Sequence, residues 1–348
     1  VNSVAFSPDG TRLLTGTRGT SGSSGDHGAI LWDVETGEEI RRFGPPVYDV
    51  VAVAFSPDGT KVLTGGGYDE TAKVWDVETG DEVQTFSGHA NDVSSVAFSP
   101  DGTKILTGSE DNTAKLWDMI TGEEIHTFAV HKDNVTSMAF SPDGTRILTA
   151  REDDTAKLWD IITGEEIHTF AGHKDDVTSM AFSPDGTKIL TGSEDDTAKL
   201  WDAETGQEIL TFEGHMDEVS SVAFSSDGTR VLTGSWDDTA KLWDIESGKE
   251  SQTLSGHKSI VISVAFSLDG TKALTGSCDN TLRTWNLATG QVIHSLTGHT
   301  NSVNSVAFSP DGDKVLTGHS GLTGMANHDG LPGIAKLWDS ETGEPTVV

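Results

Sequence analysis

A tryptophan followed by aspartate recurs at Trp32, Trp75, Trp117, Trp159, Trp201, Trp243 and Trp338, and Trp285 followed by Asn286 holds the eighth place. From Trp75 to Trp285 consecutive members stand 42 residues apart. A period of that length means that one supersecondary unit has been copied, and that each copy buries its apolar surface against its neighbours instead of forming a core alone. Residues 1–348 therefore read as a single repeat domain, since a closed array of small units shares one continuous core. Function has to lie in the differences between copies.

In the third copy, residues 93–99 form a short run of apolar and small residues ending in Ser99, Pro100, Asp101 and Gly102. That tetrapeptide is a turn with a mechanism: Pro presets φ, Asp bonds the nearby backbone and Gly accepts a positive φ. Residues 104–109 then form a second strand, 110–112 a turn and 113–118 a third strand; after a reversal at Thr121 and Gly122, residues 124–128 form a fourth. Ala114 and Leu116 alternate with Lys115 and Trp117, the period of a strand, and no segment carries helical periodicity. The unit is a four-stranded antiparallel meander and the fold class is all-β.

Gly88-His89 opening this copy, Asp111 in its second turn and Trp117-Asp118 closing its third strand resemble the pattern of the WD-repeat β-propeller family. The likeness covers the whole chain and rests on several residue types at fixed offsets. Phe-Ser-x-Asp-Gly turns starting at Phe6, Phe55, Phe98, Phe140, Phe182, Phe224, Phe266 and Phe308 count eight copies. The resemblance implies an eight-bladed β-propeller, its blades packed radially about a channel with the first strand innermost and the fourth outermost. Near-identity of the copies resembles repetitive bacterial members more than individually diversified eukaryotic ones. The chain opens inside a repeat at Val1 without Met and ends in a short outer strand carrying Pro345, which predicts a fragment of a longer polypeptide and a weak seam between blades eight and one.

Charge narrows the partner. A formal net charge of −32 repels phosphate, which argues against nucleic acid and anionic membrane and favours basic peptides or cations. No stretch approaches the roughly eighteen uninterrupted apolar residues that span a bilayer, and the N-terminus has no secretory pattern. Cys278 is the sole cysteine, so no internal disulfide forms and the compartment stays open; nothing basic flanks it to stabilise a thiolate.

Each ordinary copy also gathers a His, an Asp, a Thr or Ser and a Trp. In the third these are His89, Asp111, Thr107 or Ser109, and Trp117. Similar sets recur as His131, Asp153 and Trp159; His173, Asp195 and Trp201; His215, Asp237 and Trp243; and His257, Asp279 and Trp285. Ser, His and Asp are the residue types of a hydrolytic triad, but an active site is not built five times in one ring. The family resemblance implies instead a hydrogen-bonded chain that pins the inter-blade loop to the Trp and satisfies buried polar groups. Pro46 stands at the His position before blade two and Pro332 at the Asp position of blade eight, so both blades are expected to lack the full network.

The residue before the turn Asp varies while its neighbours do not. In order it is Gly25, Tyr68, Glu110, Glu152, Glu194, Trp236 and Cys278, three carboxylates bracketed by two aromatic rings. Loops entering the first strands carry Tyr48 and Asp49, Asp92, Asp133, Asp175 and Asp176, then Asp217 and Glu218, whereas later copies offer only Ser259, Ile260, Asn301 and Ser302. In the family both sets of loops emerge on one face, the usual docking surface. Carboxylates beside aromatic rings suit an Arg or Lys side chain, through charge-assisted hydrogen bonds and cation–π contact; the bland alternative is solvated surface in a very acidic chain. Tyr68, Glu110, Glu152, Glu194, Trp236 and Cys278 are thus the expected partner-binding residues.

These features predict a non-catalytic, monomeric interaction module that binds a basic protein or peptide and uses no cofactor. A metal-dependent propeller enzyme of the calcium type is one alternative, but it needs a one-off cluster of acids, whereas most acids here recur in register. A carbohydrate-binding propeller is another; it favours an aromatic platform in every blade, and only Tyr68 and Trp236 qualify. Insertions at residues 17–28 and 319–333 predict a flap on the docking face. Their His27, His319 and His328, with Asp26 and Asp329, lack the fixed spacing of a zinc site, and no metal is assigned.

Overall fold

The computed structural model describes residues 3–17, 28–44, 49–66, 69–129, 137–150, 153–319 and 335–346. They form eight four-stranded sheets, each from four strands consecutive in sequence, and no sheet borrows a strand from another. Among the described residues no helix is long and apolar enough to cross a membrane. Of the two insertions at 17–28 and 319–333, residues 18–27 and 320–333 lie outside the described residues, as do Pro46, Tyr48, Tyr68, His131, Asp133, Glu152 and Pro332.

Blade three shows how the sequence makes a blade. Its strands are Val93–Phe98, Lys104–Ser109, Thr113–Asp118 and Glu124–Ala129. The first reversal is held by Asp101, whose carboxylate accepts from Ser99 Oγ at 2.6 Å and the Thr103 amide at 3.0 Å, while Gly102 adopts φ 70°. These donors hold the Asp101 carboxyl at about 2. In the third reversal Asp118 accepts from the amides of Ile120 and Thr121 at 3.0 and 2.8 Å. A bulge between Leu116 and Trp117 sets the indole opposite Ile105 on one side and Glu124 on the other.

Two compact units divide the chain. The first holds residues 1–138, 318–338 and 345–348. Here cores form between successive blades rather than within them. Leu14, Ala29, Leu31 and Phe43 of blade one pack on Val50, Val53, Val62, Trp75 and Val77 of blade two. Leu63, Ala72, Val74 and Phe86 of blade two pack in turn on Val93, Ile105 and Trp117 of blade three. Both faces of a middle strand are therefore buried, which is why Leu116 and Trp117, on opposite faces, are only 0% and 2% exposed. Among the described residues the last strand is Pro345–Thr346, pairing Leu337 with Thr346 and Trp338 with Pro345.

The second unit holds residues 139–317 and 339–344 and repeats the scheme. Leu190, Ala198, Leu200 and Phe212 meet Val219, Val222, Val231 and Trp243. Phe212 and Trp243 lie 5.4 Å apart between ring centroids, a tilted pair that ties a fourth strand to the next blade's Trp. Close approach depends on a glycine: a Cβ on Gly192 would stand 2.8 Å from Cγ1 of both Val219 and Val222. Blade four carries Ala150 at that place, and it shares a buried cluster with Met180, a flexible thioether where blade six has Val222.

Candidate functional site

The second strand of blade three brings Thr107 under the indole of Trp117, and the entering loop lays His89 on top. Trp117 Nε1–H donates to Thr107 Oγ1 at 2.8 Å, and Thr107 Oγ1 lies 2.7 Å from His89 Nε2. His89 Nδ1 is 2.8 Å from Asp111 Oδ2, which also accepts from the Ala90 amide at 2.9 Å. The partners set the tautomer: Nδ1 carries the proton toward the carboxylate, and Nε2 accepts from the Thr hydroxyl. Thr113 Oγ1 donates to the other Asp111 oxygen at 2.6 Å. Ser109 takes no part in the His–Trp link; its Oγ bonds the Asn91 carbonyl and receives the Asp111 amide, both at 3.0 Å.

The same arrangement recurs with His173, Asp195, Thr191 and Trp201; with His215, Asp237, Thr233 and Trp243; and with His257, Asp279, Thr275 and Trp285. In blade four Trp159 donates to Thr149 at 3.0 Å and Thr155 to Asp153 at 2.7 Å. In blade eight His299 Nε2 lies 2.7 Å from Thr317 Oγ1. Burial pushes His89, His173 and His257 below their ordinary value despite the neighbouring carboxylates. Burial alone would raise Asp111, but hydrogen bonds from Thr113, the Ala90 amide and His89 outweigh it and hold it at about 2. The hydroxyl that a triad would need as nucleophile is fully buried in each complete blade, with its proton committed to the imidazole.

The residues before the turn Asp are fixed by backbone rather than by this network. The amides of Glu194, Trp236 and Cys278 each donate at 2.9 Å to the carbonyl that closes the entering loop of the same blade, those of Asp176, Glu218 and Ile260. Glu110 does the same in the first unit, donating to Asp92 at 3.0 Å. Each variable side chain is thereby set beside its own entering loop. In the second unit this gathers Asp175, Asp176, Glu194, Asp196, Asp217 and Glu218 along blades five and six. Asp196 is raised by burial and by Asp217, Asp195 and Asp237; Glu218 is raised by burial and by Asp217, Asp175 and Asp196. Carboxylate oxygens of Asp154, Asp175 and Asp176 all fall within 4.8 Å of one another, a group that could hold a metal cation. Blade six adds apolar surface, with Trp236 45% and Met216 88% exposed.

The residue after the turn Asp contributes to this edge and goes unremarked in the sequence reading. Asn112, Asp154, Asp196, Asp238 and Asn280 all have φ between 60° and 71°. Asn and Asp tolerate that left-handed conformation better than other side chains. Their recurrence at one offset is the signal that could have found them.

Repeated meanders whose apparent triads are consumed by internal hydrogen bonds define a propeller-type repeat scaffold. The family described as "WD domain, G-beta repeat" matches residues 1–33, 37–76, 80–118, 122–160, 164–202, 206–244, 248–286 and 290–330. The chain belongs to the WD40 family, and its eight sheets are the eight blades of an all-β propeller fold. Propellers of this family are generally non-catalytic and commonly serve as scaffolds that bind proteins or peptides. The crystal structure of the computationally designed Ika8 protein is similar, with a TM-score of 0.80 and 29% identity over 97% of this chain and 95% of that one. No curated protein matches significantly.

Proposed function

We propose that this protein is a non-catalytic scaffold module that docks a cationic protein segment on the acidic edge of blades five and six. The observation that carries the proposal is the crowding of carboxylates there: oxygens of Asp154, Asp175 and Asp176 fall within 4.8 Å of one another, and like-charged neighbours help to raise Asp196 and Glu218. Carboxylates held together in this way gain from a Lys or Arg that relieves their repulsion. Trp236, 45% exposed beside Glu218, offers a ring face to the same cation. Glu110 and Cys278 hold the equivalent place in blades three and seven, and Tyr68 and Glu152 hold it in sequence in blades two and four. The negative charge of the whole chain accelerates capture of such a segment and disfavours nucleic acid and anionic membrane.

A Lys- and Arg-rich peptide titrated against the protein should perturb Trp236 fluorescence, with an affinity that falls as salt rises. A Glu194→Gln, Asp196→Asn, Glu218→Gln variant should bind roughly tenfold more weakly or worse. Equal binding by the variant and the parent would remove the acidic edge as the docking site. Repeating the titration with calcium or zinc tests the Asp154, Asp175 and Asp176 group: a cation held there should compete with the peptide.

A further inference from the structure

Between blades one and two lies a cavity of about 70 Å³, lined by Thr64, Asp69, Thr71, Lys73, Trp75 and Glu82 against Phe43, Gly44 and Asp49. Its walls have a known counterpart. In blade three the matching groups, Thr107, Asp111, Thr113, Lys115, Trp117 and Glu124, surround the His89 ring. His89 touches Thr107 at 2.7 Å and Asp111 at 2.8 Å and meets the Trp117 ring edge-on at 6.2 Å between centroids. Blade two has Pro46 at the His position of its sequence.

The Trp–Thr half of the arrangement that receives an imidazole is kept around the cavity, while Asp69 is turned toward Lys73 and crowds Gly66. Trp75 Nε1–H donates to Thr64 Oγ1 at 2.9 Å, and the best described acceptor for the Thr64 hydroxyl is the Lys73 carbonyl at 3.4 Å, a long contact. Thr71 Oγ1 is buried with no partner among the described residues, whereas its counterpart Thr113 Oγ1 donates to Asp111 at 2.6 Å and lies 3.3 Å from His89 Nδ1. Lys73 Nζ stands 3.6 Å from Asp69 and 3.5 Å from Glu82, where Lys115 closes on Glu124 at 2.8 Å. A buried hydroxyl held only by a long contact, as the Thr64 hydroxyl is to the Lys73 carbonyl, favours an occupant that completes it.

We propose that this cavity is a binding site for an imidazole ring, with one ring N–H donating to Asp69, the other nitrogen accepting from the Thr64 hydroxyl, and the ring edge against Trp75. The 1,3 relation of donor and acceptor matches the one His89 uses between Asp111 and Thr107. The walls are polar and the volume is about that of two liquid waters, so the ring displaces solvent rather than filling a dry void. The site lies in the first unit and does not depend on the acidic edge of blades five and six.

The test follows the indole N–H resonance of Trp75 while imidazole is added at pH 8, where the free base dominates. A saturable shift with Kd on the order of 1 mM is expected. 1-Methylimidazole, which has no N–H for Asp69, should bind at least several-fold more weakly. Pro46→His restores the repeat's His at its sequence position and should abolish the response; Thr64→Val removes the hydroxyl and should weaken it, which keeps the test open if the first variant does not fold. N-Acetylhistidinamide separates the two sources of the ring: a response to it as well as to imidazole assigns the site to a histidyl side chain of a docked segment, and a response to imidazole alone assigns it to the free heterocycle. No saturable shift, or equal responses to imidazole and its N-methyl derivative, would overturn the proposal.

Discussion

Blades two and three share the Trp–Thr link and differ in the polar groups around it. In blade three Thr107 is shared by the Trp117 indole and the His89 imidazole at 2.8 and 2.7 Å, and Asp111 takes both the imidazole and the Ala90 amide. In blade two Trp75 keeps its hold on Thr64 at 2.9 Å, but Asp69 faces Lys73 at 3.6 Å and Thr71 Oγ1 has no partner among the described residues. Both indoles still pack against the preceding Phe, at 6.2 Å for Trp75 and 5.8 Å for Trp117. The Trp–Thr link recurs from blade one, where Trp32 donates to Thr15 at 3.0 Å, to blade seven, where Trp285 donates to Thr275 at 2.8 Å. The His–Asp arm is an addition that ties the entering loop to it.

The largest difference should come from removing the shared hydroxyl. Thr107→Val leaves both the Trp117 N–H and the His89 Nε2 unpaired in a buried place, a loss of roughly 2–5 kcal/mol. Thr64→Val strands only the Trp75 N–H and should cost about 1–3 kcal/mol. Hydrogen exchange of amides in Lys104–Ser109 and Lys61–Gly66 reads the two blades separately. Equal losses would mean that the imidazole contributes nothing that the indole does not.

Much of this contrast is legible in the sequence, because turn residues and strand period are local signals. The strands of blade three differ from the expected bounds by a single residue at the ends of the first and fourth, where Thr113 pairs with Ala129. Which hydroxyl serves the indole is not local. Thr107 and Ser109 lie on the same face, and only the register that sets Trp117 opposite Ile105 decides for Thr107. Ser109, at the strand end, meets the entering loop instead. Pro46 announces a break in the pattern, but the cavity depends on how far Lys73 and Asp69 move to cover it, a packing question. The row of variable residues is readable one blade at a time; its charge coupling through Asp196 depends on space between blades.

Acid should separate the same blades by a smaller amount. His89 is held below its ordinary value in the folded protein, first by burial. The unfolded chain therefore takes up its proton sooner, so this stability is present above a pH of about 6.5 and is lost as pH falls through the folded value. Asp111, held at about 2, adds a second loss that begins below a pH of about 4. Asp196 and Glu218 act in the opposite sense: raised in the folded state, they favour folding at low pH and cease to as pH rises through their folded values. Blade two has no histidine. Between pH 7 and 5, opening free energies from hydrogen exchange, corrected for intrinsic rates, should fall in blades three, five and seven and hold steady in blade two. A parallel fall in blade two would assign the effect to global charge rather than to the imidazoles.

The smallest contrast is in the second turn. Glu70 adopts φ 54° where Asn112 adopts 71°, and blades four to seven also carry Asn or Asp there. A left-handed backbone crowds a Cβ against the following carbonyl, and Asn or Asp offsets this with a short polar side chain that bonds locally, which Glu does less well. Glu70→Asn should therefore raise stability by up to about 1 kcal/mol, while Asn112→Gly should change it by less. The two Tm shifts decide whether backbone strain adds to the weakness of blade two. A neutral or destabilising Glu70→Asn would place that weakness in the cavity beside Thr64 and Asp69 alone.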